Sequence, residues 1–283
     1  IPFVHTDFGR DPDVYRLLRA ATRISETGQY EASRLPGYPV HELLASALLE
    51  GGPFALNTLS AVSCSVASAA LVVLFREWRI RDAWLLALAF AFTPVVYIAS
   101  VSSIDYVLSL GFALCSFAFA SKGRHVVAGV SLGLAIGTRI TAGAFLLPLV
   151  VMTWREHETM RPRRIALAKV TLAMTSVSIL AYLPVWARYG ADFFKFADNV
   201  DVSALDGLIT MSVRVWGRLG FLFVLAAAGL AIGRWIRTRH PSKPSNPRIV
   251  AVLVIVLYTM AFVRLPHEPG YLIPIVPFAL LLL

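Results

Sequence analysis

Charge is scarce in this sequence. Only 15% of its 283 residues are Asp, Glu, Lys or Arg, while 57% are apolar and the mean hydropathy is +0.69. A soluble domain carries ~25% charged residues to cover its surface, so a soluble fold is excluded and lipid is the solvent for most of the chain. Cysteine is nearly absent. Cys64 and Cys115 both fall inside apolar runs, which removes any support for a disulfide framework or a thiolate metal site and leaves both as core residues. Acids are the rarer charge, 17 against 26 Lys and Arg. The resulting net charge of +9 would suit nucleic acid, but the basic residues are sorted by loop rather than gathered on one patch, which excludes that partner. Ile1-Pro2-Phe3-Val4 has neither an initiator methionine nor a basic n-region, so no signal peptide is visible. The chain reads as starting after a preceding transmembrane helix and as stopping inside the apolar run Pro277 to Leu283, truncated at both ends.

Long apolar stretches dominate what is present. They lie at about 57–75, 83–99, 104–121, 125–138, 141–154, 166–187, 214–236, 249–264 and 270–283, which predicts an all-α transmembrane bundle of roughly nine spans. Several fall short of the ~20 residues that a perpendicular crossing needs, so tilt, local thinning or broken helices are expected. The connecting loops alternate in sign. Those near 76–82, 122–125, 155–169 and 234–248 hold 15 of the 26 Lys and Arg residues against only Glu77, Asp82, Glu156 and Glu158. By the positive-inside rule these loops are cytoplasmic. Residues 1–56 then form an extracytoplasmic first loop, and 57–283 one membrane domain. Pro241 to Pro247 is a short linker by composition.

The first loop is patterned for structure. Asp11 suits an N-cap, Pro12 the first helical position and Asp13 the positive end of the dipole. Val14, Leu17, Leu18, Ala21 and Ile24 follow on one face, with Arg16, Arg19 and Arg23 on another. Such a basic amphipathic helix lies along a membrane surface and ends at Gly28. Leu35-Pro36-Gly37-Tyr38-Pro39 marks a rigid turn. A second short helix, about 39–49, begins with His41 and Glu42 near its start.

Four short motifs make this arrangement resemble the C-type glycosyltransferase superfamily, within it the protein O-mannosyltransferase and aminoarabinose transferase relatives. They are Asp11-Pro12-Asp13-Val14-Tyr15 with Gly28-Gln29-Tyr30, then Ser33 to Pro39, then Gly133-Leu134-Ala135 with Thr138-Arg139, and last Glu268-Pro269-Gly270-Tyr271-Leu272-Ile273-Pro274. In the last, Gly270 replaces the basic residue usual before the tyrosine, and the acid expected beside Arg34 is missing. The resemblance implies an enzyme that moves a sugar from a polyprenyl monophosphate to a lipid, glycan or protein acceptor hydroxyl, with inversion and without a cofactor. Such a displacement needs one carboxylate to take the acceptor proton and cations to hold the departing phosphate. Carried over by position, Asp11 is the catalytic acid of the first loop, Asp105 the second acid and Asp13 a third candidate, with Asp11 and Asp105 facing one outer cavity. Arg34, Arg139, Arg264 and Tyr15 are the donor-phosphate candidates, and His41, Glu42, His267, Glu268 and Tyr271 would surround them.

Each assignment has a structural alternative. Asp11, Asp13 and Asp105 also suit helix caps. The arginines also suit snorkelling anchors at headgroups, and Gly133-x-x-x-Gly137 suits helix packing. His5, His41 and His267 share the outer side with carboxylates but show no metal-ligand spacing. A secondary transporter or lipid flippase is the rival reading, and a membrane scaffold a third. Transporters concentrate ionisable groups near the midplane of repeated helices, whereas here the acids gather at the outer boundary and no repeat is seen.

Overall fold

Prolines and glycines set the helix boundaries of this chain. The structure, a computed structural model, describes residues 3–156, 158–194, 203–238, 246–264 and 268–283, and all regular structure among them is helical. Pro12 opens α1 (Pro12–Thr27), with Asp11 capping it through a bond from the Asp13 amide, and Gly28 closes it in the left-handed conformation. That φ of 65° is one an L side chain adopts only with strain. Pro39 opens α2 (Pro39–Leu48), which passes through the 3-10 turn Leu49–Gly51 into α3 (Gly52–Glu77). The expected second helix is therefore present, but it runs on towards the first long span.

Next come α4 (Ala83–Phe92) and α5 (Pro94–Ser100), bent by 70° to one another. Thr93 precedes Pro94, and the proline ring drives it out of the helical region to ψ 129°. They are followed by α6 (Tyr106–Ala120), α7 (His125–Thr138), a 3-10 stretch (Ile140–Phe145), α8 (Leu146–Glu156) and α9 (Met160–Tyr189). The chain continues through α10 (Ala204–Ile209), a π-helical turn (Thr210–Arg214), α11 (Val215–Thr238), α12 (Asn246–Arg264), the 3-10 helix Pro269–Ile275 and α13 (Val276–Leu282).

The expectation of roughly nine spans is met only in part. The runs Pro39–Glu77, Met160–Phe193, Ala204–Leu230 and Asn246–Arg264 are long and apolar enough to cross a membrane, and the bent α4–α5 pair adds a fifth if it counts as one span. Tyr106–Ala120 has 15 residues and His125–Thr138 has 14. At ~1.5 Å per residue these fall short of a ~30 Å hydrocarbon layer.

The core is built on α3, α6 and α7, with Leu71, Phe75, Leu110, Leu114, Phe117 and Leu132 fully buried. Phe117, Phe145 and Phe278 meet edge-on or tilted and tie α6 to the 3-10 stretch after α7 and to α13. The packing alternative for Gly133 and Gly137 holds, because a Cβ there would sit 2.6 Å from Val177 and Ala181 of α9. By contrast, Leu172, Leu219 and Phe223 of α9 and α11 lie bare, as side chains facing acyl chains do. The two ends of the bundle differ. At one end, Glu77, Gly123, His125, Glu156 and Asn246 surround a cavity of about 380 Å³, so the basic loops converge there. At the other end, the first loop meets the start of α6 and the end of α7.

Candidate active site

The most buried charges organise this second end. Asp105 precedes the first turn of α6 and Arg139 follows the last turn of α7, so each stands at the dipole end that favours its sign. Arg139 Nη1 donates to both Asp105 oxygens at 2.8 Å. The guanidinium carbon lies 4.0, 5.1 and 5.4 Å from the ring centres of Tyr106, Tyr271 and Tyr38. Ring faces and counter-charge replace the water that burial removed. Arg139 is only 5% exposed, and the structure brings these two sequence-predicted candidates together as one ion pair made through Arg139 Nη1.

The first loop is fastened to this end by two buried polar side chains. Asn57 Nδ2 donates to the carbonyls of Val4 (3.2 Å) and Asp7 (2.7 Å), and its Oδ1 accepts from the Ser103 hydroxyl at 2.8 Å. Glu42 is fully buried. Its Oε1 accepts the Ser33 amide and hydroxyl at 2.7 and 2.6 Å, while its Oε2 accepts the Tyr38 amide at 3.0 Å and the Tyr30 hydroxyl. Glu42 therefore shapes the 30–38 loop that carries Arg34. Arg34 in turn pairs with Asp13 and lies 4.9 Å over Tyr38.

Two neighbouring cavities result. A small one, about 20 Å³, is lined by Asp13, Arg34, His41 and Asp105 among others. A larger one, about 230 Å³, has an apolar wall including Val95, Ile98 and Ile273, with Arg10, Asp11, Tyr106, Arg214 and Glu268 as its polar groups. Ile104 lines both. Asp11 and Asp105 thus face adjacent cavities rather than the single one expected. Arg214, on the π-helical turn, is held by Asp206 at 2.8 Å and by the Thr210 hydroxyl at 3.0 Å.

Counting lone pairs separates the carboxylates. Asp13 serves Arg16 and Arg34, Asp105 serves Arg139, and Glu42 serves four donors. Asp11 uses Oδ1 for the Asp13 amide at 2.9 Å, and Glu268 uses Oε2 for the Tyr106 hydroxyl at 2.7 Å. Among the described residues the second oxygen of each is without a protein partner, and both groups line the larger cavity. Burial raises the Asp11 pKa above the ordinary carboxylate value; the Asp13 amide opposes this and the Asp13 carboxylate adds to it.

Tyr15 is 62% exposed on the outer face of α1, and Arg264 is exposed at the end of α12. Neither lines these two cavities. His267 lies outside the described residues. Sequence reasoning overlooked Tyr38, Tyr106, Asn57, Arg10 and Arg214. Among the described residues no group of three His, Cys, Asp or Glu side chains could hold a metal ion.

With this geometry in place, the chain is similar in structure to ArnT from Cupriavidus metallidurans. The TM-score is 0.71 both to the apo state, at 19% identity, and to the state bound to undecaprenyl phosphate, at 22% identity. Each match covers 99% of this chain and 56% of ArnT, so the chain spans about half the length of the solved structures it resembles. At such identities the likeness shows the fold, which agrees with the C-type resemblance of the motifs. No curated protein sequence matches the chain. The family model for glycosyltransferase family 87 matches residues 37–263, most of the chain and all of its central bundle, and the chain therefore belongs to glycosyltransferase family 87.

Proposed function

We propose that the protein is an inverting membrane glycosyltransferase that moves a sugar from a polyprenyl monophosphate to an acceptor hydroxyl on the extracytoplasmic side. The observation that carries this reading is the larger cavity, where a half-buried carboxylate with a free oxygen, Asp11, stands with two arginines, Arg10 and Arg214. Asp11 takes the acceptor proton as the hydroxyl attacks the anomeric carbon. The carbon–oxygen bond to phosphate breaks on the opposite face. Arg34, with nitrogens beyond the one that meets Asp13, is the first-loop cation for the departing phosphate, and Arg10 and Arg214 add to the field there. Arg139 and Asp105 position Tyr38, Tyr106 and Tyr271 rather than touch substrate.

Membership of family 87 supports the transferase over the transporter. ArnT binds undecaprenyl phosphate, which supports a polyprenyl-phosphate donor here. The gathering of basic loops at the far end supports an extracytoplasmic site, with residues 1–56 on that side. The same reading takes the shorter apolar helices as crossings of a locally thinned bilayer, which restores about nine. Lipid, glycan and protein hydroxyls remain the acceptor classes. Membranes containing the full-length protein, offered radiolabelled polyprenyl-phosphate sugars, should transfer label to one of these. Failure to label any acceptor, with the protein present and folded, would overturn the reading.

A further inference from the structure

The corner at Glu268 is built around a close approach. A Cβ on Gly270 would lie 2.3 Å from the Tyr106 ring, so only glycine lets Tyr106 lie against this backbone. Tyr106 is buried, with Arg139 4.0 Å from its ring centre and Tyr271 edge-on at 5.9 Å. It is thereby fixed, and its hydroxyl fixes Glu268 Oε2. Burial raises the Glu268 pKa, opposed by the Tyr106 hydrogen bond and by Arg34. Glu268 lines a cavity of about 230 Å³, below the ~300–1,000 Å³ usual for drug-sized ligands and suited to one sugar ring, and its other oxygen has no protein partner among the described residues. Arg10, Asp11 and Arg214 are the other charged groups that line it, and Arg214 is already answered by Asp206.

We infer that Glu268 is the specificity-determining residue for the donor sugar, accepting hydrogen bonds from its ring hydroxyls, with Tyr106 as its positioning residue and Gly270 as the space that Tyr106 needs. This rests on the glycosyltransferase reading above. It assigns Glu268 to the sugar and leaves the phosphate to the arginines.

The test compares binding of bare undecaprenyl phosphate with binding of undecaprenyl phosphate-linked mannose, glucose and galactose, using the purified full-length protein. Wild type should bind at least one hexose-bearing lipid more tightly than the bare lipid. Glu268→Ala should lose roughly tenfold to a hundredfold in affinity for that lipid while binding the bare lipid as before. Glu268→Gln keeps an acceptor for Tyr106 and should fold if the alanine variant does not; it should lose less. Tyr106→Phe should shrink the same preference. A sugar preference unchanged in the Glu268 variants, or an equal loss for bare and hexose-bearing lipid, would overturn the inference. So would turnover lost in Glu268→Gln at unchanged donor affinity. If wild type binds none of these lipids, it is the glycosyltransferase reading that fails.

Discussion

Asp11 combines two jobs that can be separated. Asparagine caps a helix about as well as aspartate, so Asp11→Asn should keep α1 and the melting temperature close to wild type. It cannot accept a proton, and turnover at saturating donor should fall ~10²–10⁴-fold; near-normal turnover would leave Asp11 as a cap alone. Because the base must be ionised and burial raises its pKa, kcat/KM should fall with acidification earlier than an ordinary carboxylate at ~4 would cause. Asp11→Asn should abolish that acid limb. Arg34→Ala should weaken donor use with little loss of stability, and Lys should rescue it in part by keeping charge without the planar fork. Asp105 and Arg139 behave differently. Removing either strands a buried charge at a cost of about 3–5 kcal/mol, so Asp105→Ala and Arg139→Ala should fail in thermal stability before they fail in chemistry.

Among the elements, the 30–38 loop depends on a single side chain outside it. Glu42→Ala would release the Ser33 and Tyr38 amides and the Tyr30 hydroxyl together. Amide exchange across residues 30–38 should then speed up while the α1 interior stays protected, with a higher donor KM arising through Arg34. Exchange unchanged at Ser33 and Tyr38 would show the loop held by other means. Such dependencies mark the boundary of what the sequence disclosed. The cap at Asp11, the stop at Gly28 and the apolar stripe Val14-Leu17-Ala21-Ile24 are local, written within four residues of their effects, and were legible. Tyr106 and Glu268 are 162 positions apart, and Asn57 reaches the carbonyl of Val4 53 positions away. No periodicity or composition ties such pairs together. Arg139 was legible as an out-of-place cation and Asp105 as an acid at the start of a span, yet their pairing across 34 positions was not. Tyr15 fitted a motif by position, but it lies off the buried stripe of α1 and is exposed.

For the molecule as a whole, the two dissimilar ends define its orientation. Cysteine at the exposed positions Gln29 and Lys122 gives the check: Gln29→Cys should react with an impermeant maleimide in intact cells, and Lys122→Cys only after permeabilisation. The reverse pattern would place the site in the cytoplasm and refute the proposed topology. The buried pair also bears on how the chain enters the bilayer. Asp105 is made first, and its counter-charge arrives 34 positions later, at the far end of the next helix. Until then α6 carries an uncompensated carboxylate, which lipid accepts poorly. The translocon should therefore hold α6 at its lateral gate and discharge it together with α7 as a helical hairpin. In ribosome-stalled chains, crosslinks from α6 to the translocon should persist until Arg139 has left the exit tunnel, and Asp105→Asn should let α6 depart early.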